Sequence, residues 1–171
     1  MQIRRLDPSD ATTYRALRLR ALREHADAFT SSFEEESARP LADTEKRLAG
    51  TDKLWGAFVN GTLAAMVGLS VETRTKNHHK ATLVGMYVAP EYTRRGLAHA
   101  LVETALHAAR ASGIARVVLT VTDNNPAALA LYQKTGFTAF GTEPDAIRVD
   151  GISFGKTHMT QPINTLASNT P

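Results

Sequence analysis

One two-residue turn constrains the fold of this chain more than any other feature of its sequence. Two runs rich in β-branched and apolar residues, 54–59 and 62–71, are separated only by Asn60 and Gly61. Asn-Gly between such runs is a strong hairpin signal, because both residues readily adopt the positive φ angles that a type I′ turn requires. The sequence therefore predicts an antiparallel pair of strands here, and a sheet built around it.

Strand-like and helix-like segments alternate in the second half of the chain. After the hairpin, the sequence predicts a strand at 81–88, a helix at 96–112, a strand at 114–121, a helix at 125–134, and strands near 137–140 and 147–154. In the first half it predicts a strand at 2–6, a helix from Asp7-Pro8, and a helical stretch from Ser31 that Pro40 interrupts. We therefore expect an α/β fold with a mixed, mostly antiparallel sheet of roughly six to seven strands, flanked by about four helices.

Length and composition narrow the class of protein. The 171 residues suit one hydrophobic core rather than two. We expect a single domain over 1–159 and a loosely ordered tail over 160–171, because the tail has no charged residue. The lack of cysteine excludes disulfide scaffolds, thiolate metal sites and cysteine nucleophiles. The six histidines show no metal-ligand spacing, so the sequence predicts no metal site.

Hydropathy and charge bear on location and partners. No apolar run approaches the roughly 20 residues that span a membrane, and residues 1–8 lack the apolar core of a signal peptide. We therefore expect a cytoplasmic protein without a membrane partner. The net charge of +3 and the pI of about 9.4 favour anionic partners. No basic motif is interleaved with aromatic residues, so the sequence disfavours nucleic acid as that partner.

Three further patterns have an ordinary structural interpretation. The first helix carries a series of arginines that we assign to a solvated face, namely Arg15, Arg18, Arg20 and Arg23. The acidic run 34–36 suits the amino end of a helix, although it could also attract a cationic substrate. Residues 151–157 look like a phosphate-binding P-loop but have three intervening residues where the motif requires four, so we discard that interpretation.

Residues 84–101 form the segment with the clearest chemical meaning. They predict a strand, a short basic turn and the amino end of a helix with small residues at Gly96 and Ala98. Unpaired amides at a helix amino end favour a bound anion by about 0.3 to 1 kcal/mol. Arg94 and Arg95 add charge-assisted donors that suit a pyrophosphate. The alternative is a plain turn with solvated arginines, and this segment alone does not decide between the two.

A second segment, 125–137, resolves this ambiguity. It has the pattern Asn-x-x-Ala-x-x-Leu-Tyr followed by Gly-Phe, carried by Asn125, Ala128, Leu131, Tyr132, Gly136 and Phe137. Together with the turn at 93–98, which reads Thr-Arg-Arg-Gly-Leu-Ala, it resembles the GNAT superfamily of acyl-CoA-dependent N-acetyltransferases. The turn of that family has the form Arg/Gln-x-x-Gly-x-Gly/Ala. The resemblance covers the predicted element order from Met1 to about Met159 and implies the GNAT-like acyl-CoA N-acyltransferase fold.

The resemblance implies that the protein uses acetyl-CoA as its cosubstrate. Backbone groups of Met86 and Val88 would pair with the pantetheine arm, and Asn125 would hydrogen-bond to it. The hydroxyl of Tyr132 would protonate the departing thiolate, while the Val88 N–H would polarise the thioester carbonyl. The pyrophosphate would lie on the amides of Arg94, Arg95, Gly96, Leu97, Ala98 and His99.

Some positions have a structural alternative or depart from the family pattern. Asn125 before Pro126 is typical of a helix N-cap, and Tyr132 lies at a spacing typical of a core residue. Thr93 replaces the family's usual Arg or Gln. No acid lies within 83–88, where many members place the Glu that deprotonates the amine. The candidates for this base are Glu72, His78, His79 and a water chain.

The sequence therefore predicts an N-acetyltransferase. It would transfer an acetyl group from acetyl-CoA to a primary amine by direct attack in a ternary complex. The alternative is a non-catalytic acyl-CoA-binding or regulatory domain. The acceptor stays open between a small molecule and a protein amine, and the oligomeric state stays open with a homodimer as one alternative.

Overall fold

A computed structural model describes residues 1–163 of the chain, and they form one mixed sheet with α-helices on both faces. The seven strands of these residues are β1 (Gln2–Arg5), β2 (Lys53–Val59), β3 (Thr62–Val71), β4 (Lys80–Val88), β5 (Arg116–Thr122), β6 (Thr138–Val149) and β7 (Ile152–Pro162). The α-helices are α1 (Ala11–Glu24), α2 (Phe33–Ala38), α3 (Leu41–Ala49), α4 (Leu97–Ala111) and α5 (Pro126–Lys134). The predicted fold class is confirmed.

The sheet is antiparallel except at its centre. Its strand order is β1-β2-β3-β4-β5-β7-β6, and only the β4–β5 pair is parallel. That pair has three registered positions, from Lys80 opposite Arg116 to Thr82 opposite Val118. Beyond Thr82 the two strands no longer pair, so the middle of the sheet opens into a gap between β4 and β5.

Two hydrophobic clusters hold the helices against the sheet. Val67 belongs to the cluster that includes the buried face of α4, whereas Met66 belongs to the cluster with α1. Successive residues of a strand point to opposite faces, so β3 anchors both helical layers. Among residues 1–163, none of the helices has the length and hydrophobicity of a transmembrane segment.

The hairpin between β2 and β3 forms as predicted. Asn60 and Gly61 have φ angles of 50° and 79°, which are the two positive values that a type I′ turn requires. The second helical stretch divides at Pro40 into α2 and α3, and Ser32 and Glu35 form the capping box at the start of α2. By contrast, Asp7-Pro8 caps a short 3₁₀ turn, and α1 itself begins at Ala11.

The last hairpin differs from the prediction of strands near 137–140 and 147–154. Its strands β6 and β7 are much longer, and they meet at Asp150 and Gly151, whose φ angles are 50° and 78°. Most of β6 is exposed and therefore lacks the apolar alternation that marks a half-buried strand. Asp-Gly is itself a hairpin signal, and it was the clue that the sequence analysis missed.

The ordered structure also extends past the predicted domain boundary at 159. Thr160 to Pro162 pair with β5, with Pro162 opposite Arg116. Ile163 is 4% exposed, and its N–H donates to the carbonyl of Ala115 at 2.8 Å. These residues complete the sheet rather than form a tail, while the rest of the predicted tail, 164–171, lies outside the described residues.

Candidate active site

The gap between β4 and β5 opens into a cavity of about 370 Å³. Its walls include residues 82–86 of β4, residues 120–122 of β5, and Asn125, Ala128 and Tyr132 from the start and inner face of α5. Thr120 of β5 is exposed at this gap. The cavity therefore adjoins the part of β4 that was predicted to contact pantetheine, and β5 forms its opposite wall.

A bulge in β4 shapes this wall. Gly85 has a φ of 64°, and the register with β3 shifts between Met66 and Gly68. After the bulge, the N–H of Ala89 donates to Ala64 of β3 at 2.9 Å. Backbone groups alternate in direction along a strand, so those of Val88 and Met86 face away from β3 and into the gap. Both residues that were predicted to pair with pantetheine thus present unpaired backbone to the cavity side.

The turn before α4 leaves its amides open. Arg94 and Gly96 have φ angles of 61° and 76°, and Gly96 occupies the N-cap without a side-chain hydrogen bond to the helix. The first helical bond joins the Ala100 N–H to the Gly96 carbonyl at 3.1 Å, so the amides of Leu97 to His99 precede it. A Cβ placed on Gly96 would meet nothing within 4 Å, so space is open beside these donors.

The two predicted arginines differ in their surroundings. Arg95 donates to the backbone oxygen of Glu91 at 3.3 Å, and its guanidinium lies 5.3 Å from the centre of the Tyr92 ring. Arg94 is exposed, on the turn residue with the positive φ. The hydroxyl of Thr93 donates to the Pro90 carbonyl at 2.8 Å, so this residue holds the turn internally where the family usually has a longer side chain.

Asn125 performs the structural role that its sequence position suggested. Its Oδ1 accepts a hydrogen bond from the Ala128 N–H at 3.0 Å, which caps α5. Because the cap uses the oxygen alone, the Nδ2 of Asn125 still has donors to offer to a molecule in the cavity. The capping role and the predicted ligand contact are therefore compatible.

Tyr132 is both a core residue and a cavity residue. It is 7% exposed, its ring packs edge-on against Phe137 at 5.8 Å, and it lines the cavity. Burial raises the pKa of its hydroxyl above the ordinary value of 10. The hydroxyl therefore stays protonated throughout the neutral range, as a proton donor must.

None of the side chains suggested as the base lines the cavity. Glu72, His78 and His79 lie in the loop before β4, where the Glu72 N–H donates to the Lys80 carbonyl at 3.2 Å. The Glu72 carboxylate accepts from Asn77 at 3.0 Å. Met86 lies six residues beyond Lys80 along β4, which is a distance of about 20 Å at the usual rise of a strand. The three side chains are thus at the end of the strand that is remote from the gap.

The structure instead brings charged side chains from the first three helices to the cavity. Arg18 and Glu36 line it, together with Arg47, Asp52 and Lys156. Arg18 was predicted on a solvated face, whereas Glu36 was predicted at a helix amino end, with attraction of a cationic substrate as the alternative. A signal for Arg18 was present, because it lies four residues after Tyr14 and four before Leu22, which are both buried on the apolar face of α1.

Comparison with known proteins agrees with this architecture. The sequence model of the Acetyltransferase (GNAT) family matches residues 19–137. N-acetyltransferase 8 of Homo sapiens is 36% identical over 88 residues, which cover 51% of this chain and 39% of that protein. The chain thus matches about two fifths of the length of its curated relatives.

Two solved structures share the fold over nearly their whole length. An acetyltransferase of the GNAT family from Streptococcus pneumoniae superposes with a TM-score of 0.86 at 28% identity, covering 95% of this chain and 98% of that one. The structure of yncA from Salmonella typhimurium with its cofactor acetyl-CoA superposes with a TM-score of 0.81 at 20% identity, covering 99% and 98%. Since the family match spans more than half of the chain and includes both the turn at 93–98 and the segment 125–137, the chain belongs to the Acetyltransferase (GNAT) family.

Proposed function

We propose that the protein transfers an acetyl group from acetyl-CoA to a primary amine by direct attack in a ternary complex. The observation that carries this proposal is the position of Tyr132, a buried proton donor on the wall of a cavity that opens between two unpaired strand edges.

The predicted cofactor contacts agree with the geometry of the gap. Pantetheine would lie along β4, with the backbone of Met86 and Val88 and the side-chain amide of Asn125 as its partners. The pyrophosphate would lie on the open amides between Arg94 and His99, at the positive end of α4. A structural neighbour, yncA, holds acetyl-CoA in the same fold, which supports this assignment.

The proposed reaction needs one nucleophilic attack and one proton donor. The neutral amine attacks the thioester carbonyl carbon, whose oxygen gains negative charge beside the Val88 N–H. The new N–C bond forms, the C–S bond breaks, and Tyr132 gives its proton to the departing sulfur. The amine nitrogen loses one proton in turn, which restores the tyrosine hydroxyl. The chain has no cysteine, so transfer through a cysteine acyl-enzyme is excluded.

Calorimetry with coenzyme A and a free-thiol release assay test this proposal together. We expect saturable heat from coenzyme A, and thiol release from acetyl-CoA that depends on an added amine from a panel of amino acids, polyamines and peptides. Binding without amine-dependent release would favour the non-catalytic acyl-CoA-binding alternative. No detectable binding would contradict the proposal.

A further inference from the structure

Arg18 is a half-buried cation that no hydrogen bond or ion pair joins to the described residues 1–163. Its side chain lines the cavity, and its Nε and Nη1 atoms are enclosed without a hydrogen-bond partner among residues 1–163. The guanidinium lies 4.9 Å from the centre of the Phe29 ring. Desolvation lowers the pKa of Arg18, as expected for a charge taken out of water. An unpaired buried charge costs free energy, which a bound anion would recover.

The neighbouring charges do not neutralise this guanidinium by direct contact. Asp52 is 3.8 Å from the Nε of Arg47 and accepts from the Ser70 hydroxyl at 2.9 Å. Glu36 lines the same cavity, but no ion pair joins it to Arg18 within the described part of the chain. A second cation, Arg47, also lines the cavity, and its charge adds to the positive potential around Arg18.

Arg18 lies close to the part of β4 that is proposed to contact acetyl-CoA. A Cβ placed on Gly85 would lie 3.9 Å from Arg18 Nη1. Gly85 precedes Met86, whose backbone is a proposed contact of the pantetheine arm. The guanidinium is therefore beside the β4 bulge, next to one proposed contact of that arm and three residues before Val88, whose N–H faces the thioester in the proposed reaction. An acceptor that placed an anion there would occupy the cavity beside β4, which its amine must enter to reach the thioester.

We propose that the acceptor is an amino-acid-like molecule whose carboxylate is bound by Arg18, an inference that rests on the proposed function. A guanidinium matches a carboxylate with two parallel hydrogen bonds, which also fixes the orientation of the attached carbon. Glu36, which lines the same cavity, supplies the opposite charge for the ammonium group before it loses its proton. Polyamines have no anionic group that could pair with Arg18, and its positive charge repels their ammonium groups.

The test compares amino acids with the corresponding amino-acid amides, which keep the side chain and the amine but lose the carboxylate. Free-thiol release gives kcat/KM for each member of a pair. A charge-assisted contact predicts that the wild-type protein prefers the acid by roughly 10- to 100-fold. Arg18→Gln removes this preference by slowing the acid alone, and Arg18→Lys restores part of it.

Arg23→Gln is the matched control. Arg23 is on the same helix and lies 4.4 Å from the centre of the Phe33 ring, but it is not part of the cavity wall. We expect this variant to keep the wild-type preference. The affinity of each variant for coenzyme A serves as the control for folding and for cofactor binding.

Each outcome separates this inference from the proposed function. Equal use of acids and amides by the wild-type protein overturns the role of Arg18 but leaves acetyl transfer intact. An equal loss with both substrates in Arg18→Gln, or weaker binding of coenzyme A, also overturns it, because Arg18 would then serve the cofactor. No coenzyme A binding, with no thiol release from any amine, overturns the proposed function itself.

Discussion

Tyr132 illustrates how one residue carries both packing and chemistry in this protein. Its ring packs against Phe137, and the residue also lines the cavity. Tyr132→Phe keeps the ring and removes the proton donor. We expect kcat for thiol release to fall by about 10²-fold or more, with the affinity for coenzyme A changed less than about twofold.

The pH dependence gives an independent check of the same residue. Because burial raises the pKa of Tyr132 above 10, its protonated form persists at higher pH than in an exposed tyrosine. We therefore expect kcat in the wild-type protein to show no alkaline loss from this group up to about pH 10.

For the substitution, an unchanged kcat in Tyr132→Phe would contradict the catalytic role of the Tyr132 hydroxyl.

Asn125 allows its two roles to be separated. Asn125→Asp keeps an oxygen acceptor for the Ala128 N–H but removes the Nδ2 donors, whereas Asn125→Ala removes both. Asn125→Ala is expected to lower the free energy of unfolding by about 1 kcal/mol, and Asn125→Asp by much less. Both should weaken coenzyme A binding. Urea unfolding and calorimetry measure the two effects, and wild-type affinity in Asn125→Asp would argue against the ligand contact.

Residue roles were predictable where a motif fixed the spacing. The sequence placed Asn125 and Tyr132 on one short helix, and the structure brings both to the cavity. The presence of Arg18 at the cavity was not predicted, because its environment is created by Phe29 and the β4 bulge, which both lie outside α1. Burial of a charged side chain by such tertiary contacts leaves only a weak trace in helical periodicity.

At the scale of elements, the amino end of α4 is the part of the site built mostly from backbone. Gly96 and Gly113 flank this helix with φ angles of 76° and 72°, and a Cβ at either position meets nothing within 4 Å. Alanine at each should cost about 1 kcal/mol of stability through the left-handed conformation. Only Gly96→Ala should weaken the binding of coenzyme A, because only Gly96 adjoins the proposed phosphate site.

Gly113→Ala is therefore the internal control for strain at Gly96. Urea unfolding should give similar losses for the two variants, and calorimetry should separate them. If Gly96→Ala bound coenzyme A as tightly as Gly113→Ala does, the amides before α4 would not be the phosphate site.

Elements were predictable where a buried face or a two-residue turn marked them. The β2–β3 hairpin and α4 lie close to their predicted bounds, since Asn60-Gly61 and a buried apolar face specify them. The β6–β7 hairpin was misplaced because β6 is largely exposed and contains Pro144 and a register shift between Glu143 and Ile147. Apolar periodicity cannot locate a strand that buries so little.

In the molecule as a whole, the packed core includes Ile163, the residue that directly follows β7. Ile163→Ala should lower the free energy of unfolding by about 2 to 4 kcal/mol, because the side chain is 4% exposed. Ile152→Ala is the matched control, since that isoleucine is 60% exposed and should change stability by about 0.5 kcal/mol or less. Equal effects in urea unfolding would contradict the extended boundary of the domain.

The sheet as a whole is joined at its centre by only three registered pairs between β4 and β5. Residues 82–86 of β4 and 120–122 of β5 border the cavity, so a ligand there would contact both halves of the sheet. The mixed architecture was predictable from element order. The depth of the opening was not, because it depends on where β4 and β5 cease to pair and on the bulge at Gly85.

Amide hydrogen exchange with and without coenzyme A reports on the proposed backbone donors themselves, and therefore shows whether they hold the cofactor. Coenzyme A in the gap should slow exchange at the amides of Met86, Val88 and residues 94–99, while those of Glu72 to His79 at the remote end of β4 stay unchanged. Binding by calorimetry without protection at residues 94–99 would contradict the account.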